Sequence, residues 1–177
     1  ALTRCYSATM QPSPTPQPLP DLAVSVVLHF SPLERLQSLL DSLCNAAVEA
    51  ELSHVEVICV DHSCDADYVA SCQAFIEAYG AQTVGDNGLR LSLLNPDANG
   101  GYGAGHNLAI SQLESQFHLI LNPDVELAPD AFKLALDTLK RQPNIALLAP
   151  QGFSPLGEPE FLAKAYPSVW VLGLRAF

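Results

Sequence analysis

The sequence predicts an α/β domain with a mainly parallel, Rossmann-like sheet and helices on both faces. Three observations carry that prediction. Apolar, β-branched runs of strand length recur along the chain, and segments with apolar residues at helical spacing separate them. Polar residues gather just after the apolar runs, where a parallel sheet presents them at a single end. Strands apolar on both faces need cover on both, and alternating helices provide it.

The first strand is AVSVVLH, residues 23–29. Ser31-Pro32-Leu33-Glu34 reads as a helix start, with Ser31 capping, Pro32 at the first helical position and Glu34 closing a capping box. Leu36, Leu39, Leu40, Leu43 and Ala47 then mark one buried helical face. VEVICV (55–60) is the second strand. Val69, Cys72, Phe75, Ile76 and Tyr79 mark a second helix, which Gly80 is expected to stop. LRLSLL (89–94) is the third strand, and the helix after the glycine-rich segment is expected to run to about Ser115. FHLIL (117–121) is the fourth strand. Pro129 opens a further helix with Phe132, Leu136 and Leu139 facing inward, and IALLA (145–149) reads as a fifth strand. After Gln151 the alternation breaks down. Residues 1–21, which contain QPSPTPQPLP, read as an extended, poorly ordered lead-in, so the domain spans residues 22–177.

Composition narrows the function. The formal net charge is −11, from 8 basic and 19 acidic residues. That argues against a nucleic-acid surface, which needs Lys and Arg to displace counterions, so no nucleic acid partner is expected. It also argues against electrostatic docking on anionic lipid, although an anionic ligand can still bind through a divalent cation. No apolar run approaches the roughly 18 residues of a transmembrane segment, and ALTRCYSATM lacks a signal-peptide core. The five cysteines form no CxxC pair and read as reduced thiols. The expected location is cytoplasmic, extending to the inner face of the membrane.

The chemistry-bearing residues lie after the strands. Asp61 ends the second strand within VDHSCDAD, and as residues alone it is either a ligand to a base or ribose or a helix-capping acid. Cys59, His62 and Cys64 fit no standard zinc spacing. NPDANGGYGAGHN (95–107) places four glycines where a strand gives way to a helix. Gly101-Tyr102-Gly103-Ala104-Gly105 departs from a dinucleotide fingerprint, because His106 occupies the third glycine position and the loop follows the third strand. A nicotinamide oxidoreductase is therefore disfavoured. The P-loop Gly-Lys-Ser/Thr is absent. Asn107 can meet a ligand or bond local backbone. LILNPDVEL puts Asn122-Pro123-Asp124 after the fourth strand, either as a plain turn or as a hard oxygen ligand for Mg²⁺ or Mn²⁺.

Taken in order, VSVVLHF, ICVDHS, NGGYGAGHN, LILNPDVEL and IALLAPQGF resemble the family 2 glycosyltransferases with the GT-A fold. The similarity is strongest to their bacterial rhamnosyltransferase-like branch and covers about residues 22–177. Asn99, Gly101, Tyr102, Gly103, Gly105 and Asn107 match that branch's glycine loop, and Leu121 to Asp124 match its metal-binding motif. Lys164, Pro167, Ser168 and Arg175 match a late basic-x-x-Pro-Ser segment.

The resemblance implies a divalent-cation-dependent, inverting sugar transferase. Its donor would be dTDP-rhamnose or a UDP-sugar, and its acceptor a polysaccharide or lipid-linked glycan. Asp61 would contact the base or ribose. Asn99, Gly101, Tyr102, Gly103, Gly105, Asn107 and Asn122 would border the donor, and Asp124 would hold Mg²⁺ or Mn²⁺. Two departures stand out. His62 replaces the family's Asn after the aspartate, and the Glu-Asp motif carrying the general base is not met before Phe177. The chain is therefore expected to be the donor-binding part alone. The competing reading is a nucleotide-sugar-binding module without turnover.

Overall fold

The computed structural model describes residues 19–83, 89–154 and 156–160. Most of the lead-in, Cys5 and the late Lys164, Pro167, Ser168 and Arg175 lie outside them. Four parallel strands form the sheet: β1 (Leu22–Leu28), β2 (Val55–Asp61), β3 (Leu89–Leu94) and β4 (His118–Leu121), in the order β3-β2-β1-β4. Four helices accompany them: α1 (Leu33–Glu49), α2 (Ala66–Thr83), α3 (Tyr102–Ile110) and α4 (Ala131–Arg141). A short antiparallel pair, β5 (Gly152–Phe153) with β6 (Pro159–Glu160), follows.

The expected two-faced cover is present, and strand alternation explains it. Val24, Val26 and Leu28 of β1 join Val55, Val57 and Cys59 of β2 on one face, under Leu36, Leu39, Leu40 and Leu43 of α1, Cys72 and Ile76 of α2, and Phe132 and Leu136 of α4. Val27, Ile58 and Val60 turn to the other face and meet Ala109 of α3. Complete burial also pushes the Cys59 thiol up to about 12, as expected of a core cysteine.

The order β3-β2-β1-β4 fixes where a ligand can sit. The chain steps outward from β1 to β3, then crosses back over the other face through α3 to place β4 on the far side of β1. The strand order reverses at β1, with α1 on one face and α3 on the other, which opens a crevice at the carboxyl ends of β1 and β4.

Five expectations at the element level need correction. Ser31 does not cap α1: Pro32 occupies the cap position, with φ −59° and ψ 130°, and makes no side-chain cap bond. The Ser31 hydroxyl instead lies 3.4 Å from the His29 amide. Gly80 does not stop α2, which continues to Thr83, since a glycine ends a helix only where the chain turns left-handed. α3 ends at Ile110, short of Ser115, where the Ser111 hydroxyl donates to the Leu108 carbonyl and competes with the helical ladder. α4 begins at Ala131, two residues after Pro129, and Leu139 is only half-buried. IALLA forms no strand, and Leu147 within it is 86 % exposed. An apolar run becomes a strand only where an edge pairs with it, and among the described residues none does.

Candidate functional site

A cleft of about 530 Å³ lies at the switch point. Val27, His29, Phe30 and Ser31 line it from the end of β1, Pro32 and Arg35 from the start of α1, Tyr102 from α3, and Asn122, Pro123 and Asp124 from the end of β4. Phe30 adopts φ 53°, a left-handed conformation rare for a bulky residue, and the residue is 55 % exposed. The ring packs against His29 and Tyr68, with centroids 5.1 and 5.4 Å away. His29 Nδ1–H donates to the His62 carbonyl at 3.1 Å, which ties the end of β1 to the end of β2.

On the opposite wall the Tyr102 hydroxyl donates to Asn122 Oδ1 at 2.7 Å. Burial, and then the nearby Asp124 carboxylate, raise the Tyr102 phenol above its ordinary pKa, so it stays a donor at neutral pH. Among the described residues no group of three or more His, Cys, Asp or Glu forms a ready cation cage. The exposed Asp124 carboxylate nevertheless fits Mg²⁺ or Mn²⁺, which commonly take one or two protein carboxylates and complete their shell with phosphate oxygens and water.

The other predicted residues have different placements. Asp61 is 0 % exposed and does not line the cleft. Its Oδ1 accepts the Ser63 amide at 2.9 Å and its Oδ2 the Ser63 hydroxyl at 2.7 Å, so its visible duty is to shape the β2–α2 turn. Asn99 Oδ1 accepts the Gly101 amide at 2.8 Å, a local turn bond. Gly101 precedes α3 with φ 87°, which only glycine takes without strain. Gly103 and Asn107 are exposed on α3 and are not among the lining residues. Gly105 is buried against the sheet: an added Cβ would sit 2.6 Å from Val27 Cγ2 and 3.1 Å from His62 Cε1. The glycine segment thus serves the turn, the helix start and close helix–sheet packing, and it delivers Tyr102 to the cleft. A donor contact by the buried Gly105 or Asp61 would require these groups to move.

Two features escaped the sequence reading. Arg35 is one; its only signal was its place in the first turn after β1. The other is a buried polar cluster under α3. Ser25 Oγ lies 2.7 Å from His106 Nδ1 and 2.9 Å from His118 Nε2. Burial, and then His118, lower the His106 pKa, and burial lowers that of His118. Between those lowered values and the ordinary value of 6.5 the unfolded chain binds more protons than the folded one. Stability is therefore expected to fall as the pH drops below about 6.5. Urea unfolding at a series of pH values checks this, and the slope should flatten in His118→Asn.

A GT-A-type α/β domain, with its cleft at the β1/β4 switch point, is the class that this architecture defines. The chain belongs to glycosyl transferase family 2, whose sequence profile matches residues 25–171. The structure is similar to S. aureus TarS 1–349, with a TM-score of 0.52 and 25% identity over 69% of this chain and 33% of that one. The same fragment in complex with UDP gives a TM-score of 0.51 and 25% identity over 69% of this chain and 32% of that one. It also shares its fold with the mannosyltransferase PcManGT from Pyrobaculum calidifontis in complex with GDP-Man and Mn²⁺, with a TM-score of 0.53 and 19% identity over 72% of this chain and 34% of that one. The chain spans about a third of the length of each of these. No match was found among curated protein sequences. Among the described residues no helix is long and apolar enough to cross a membrane.

Proposed function

We propose that this cleft receives the diphosphate of a nucleotide sugar, and that the chain is the donor-binding part of an inverting, cation-dependent sugar transferase. One observation carries the reading: Asp124 and Arg35 face the same cleft at the switch point. A diphosphate needs positive charge, and a chain of net charge −11 has little to offer. Arg35 supplies a guanidinium suited to phosphate oxygens. Asp124 would hold Mg²⁺ or Mn²⁺, which when bound would neutralise charge developing on the leaving diphosphate. The exposed Phe30 ring offers a stacking face for a base. The TarS complex with UDP and the mannosyltransferase complex with GDP-Man and Mn²⁺ support a ligand of this type. The rhamnosyltransferase-like motifs favour dTDP-rhamnose over other donors, with a polysaccharide or lipid-linked glycan as acceptor.

A second reading has its own observation. An inverting transfer needs a base to take the acceptor proton. Asp124 is the one acid among the described residues that line the cleft, and the cation would occupy it. Glu158 and Glu160 lie exposed at the β5–β6 pair. The chain by itself is then a donor-binding module without turnover. Calorimetric titration with UDP, dTDP and GDP, in Mn²⁺ and then in EDTA, tests both readings alongside a transfer assay. The expected result is binding of one nucleoside diphosphate that chelation removes. Binding indifferent to chelation contradicts the cation role, and no binding contradicts the cleft. Donor binding without transfer selects the module.

A further inference from the structure

The Ser25–His106–His118 cluster has the residue types of a catalytic constellation but lies under a helix. Ser25 is 0 % exposed and His106 3 % exposed, so no substrate reaches either. A buried polar group is costly unless it is paired, and this pairing is incomplete, because His106 Nε2 is buried without a hydrogen-bond partner. Apolar groups of the same shape in both places would be nearly neutral, which invites a reason for the imidazole.

The connectivity supplies one. His118 begins β4, Ser25 lies mid-way along β1 and His106 lies on α3, so the hydroxyl joins three elements through two contacts of 2.7 and 2.9 Å. A serine hydroxyl carries one proton. It either donates to one ring and accepts from the other, or accepts from both rings and donates to the Leu119 carbonyl at 3.5 Å, and each arrangement fixes both ring planes. His106 then meets Tyr102 one helical turn earlier, edge to face, with centroids 4.4 Å apart. The Tyr102 hydroxyl in turn holds Asn122 Oδ1 at 2.7 Å, two residues before Asp124. Tyr102 is itself 52 % exposed and stands at the N-terminal end of α3, where a side chain is otherwise free to rotate into solvent.

We propose that His106 is a positioning residue: clamped by Ser25 and His118, it holds the Tyr102 ring so that its hydroxyl fixes the Asn122–Asp124 turn at the cleft. The inference rests on the donor-cleft reading for its consequence but not for its geometry. It makes the histidine in GGYGAGHN a component of the site that never touches the ligand.

The test uses His106→Asn, which keeps a polar atom near Nδ1 and removes the ring against Tyr102, and Ser25→Ala, a milder change should the first fail to fold. Two readouts are taken. The first is the contact between the Tyr102 ring and the Asn122 side-chain amide, followed by nuclear Overhauser effects in the free protein. It is expected in wild type and lost in either variant; its persistence in a folded His106→Asn variant overturns the proposal. The second is the affinity, with Mn²⁺, for whichever of UDP, dTDP and GDP the wild type binds. It is expected to weaken about tenfold in His106→Asn, the lower end of what removing a supporting residue costs. That loss should vanish when Tyr102 is already alanine, since the histidine acts through the tyrosine. An equal loss in both backgrounds marks a general structural effect and overturns the relay. If wild type binds none of UDP, dTDP and GDP with Mn²⁺, the donor reading fails and the Overhauser contact alone decides the inference.

Discussion

Asp124→Asn is expected to weaken the binding of Mn²⁺–UDP by about 100-fold or more, while the melting temperature stays at the wild-type value. Replacing a supporting residue behind a metal ligand commonly costs about 10–100-fold in affinity, and removing the charged ligand itself should cost at least the upper end. The substitution keeps the shape of the side chain and removes its charge. The Asp124 side chain lies at the cleft rim, on the turn after β4, and belongs to no buried cluster, so the fold has no reason to respond. Calorimetry with the cation and nucleotide together, beside a thermal melt, separates the two effects. Equal affinity in the variant would remove Asp124 from the cation site. A large fall in melting temperature would mean that the turn has a structural duty.

Gly105→Ala is expected to destabilise the fold by about 1–3 kcal/mol, the usual range for a methyl group forced into a packed interior. For a chain of this size that lowers the melting temperature by about 2–12 °C. The new methyl would stand 2.6 Å from Val27 Cγ2, and valine is stiff about χ1 and cannot swing aside. His62 Cε1, at 3.1 Å, closes the other side. Gly103 is the internal control. A Cβ there meets nothing within 4 Å, so Gly103→Ala should leave stability unchanged or raise it through helix propensity, by up to about 1 kcal/mol. Shortening the obstructing residue with Val27→Ala in the Gly105→Ala background should recover part of the loss. If Gly105→Ala melts like wild type, α3 is not seated on β1 as described.

These two residues mark the extent of what the sequence makes legible. The four sheet strands and four helices can be read because burial leaves a period, two along the strands and near 3.6 along the helices. IALLA misled because apolarity says that a segment wants cover, not that an edge exists for it to pair with. Ser31 misled because the cap depends on backbone geometry at Pro32, which no residue type reveals. Asp124 stands directly after a buried strand, so its place at the cleft was legible, while its role toward a cation is the proposal made above. Asp61 looks the same in sequence, and only the two bonds from Ser63 show that its carboxylate is engaged in a turn. Ser25 and His118 left a faint signal as polar residues inside apolar strands, but their partner lies in another element and only the fold brings the three together.

The central claim is that the ligand sits where β1 and β4 end. Paramagnetic broadening by Mn²⁺, added with UDP to isotopically labelled protein, measures this directly. The account predicts selective loss of signals from Phe30, Ser31, Tyr102 and Asn122 to Asp124. Signals from Asp21 and His54, at the opposite end of the sheet, should be unchanged. Broadening centred on Asp21 and His54, or spread evenly over the surface, would contradict it.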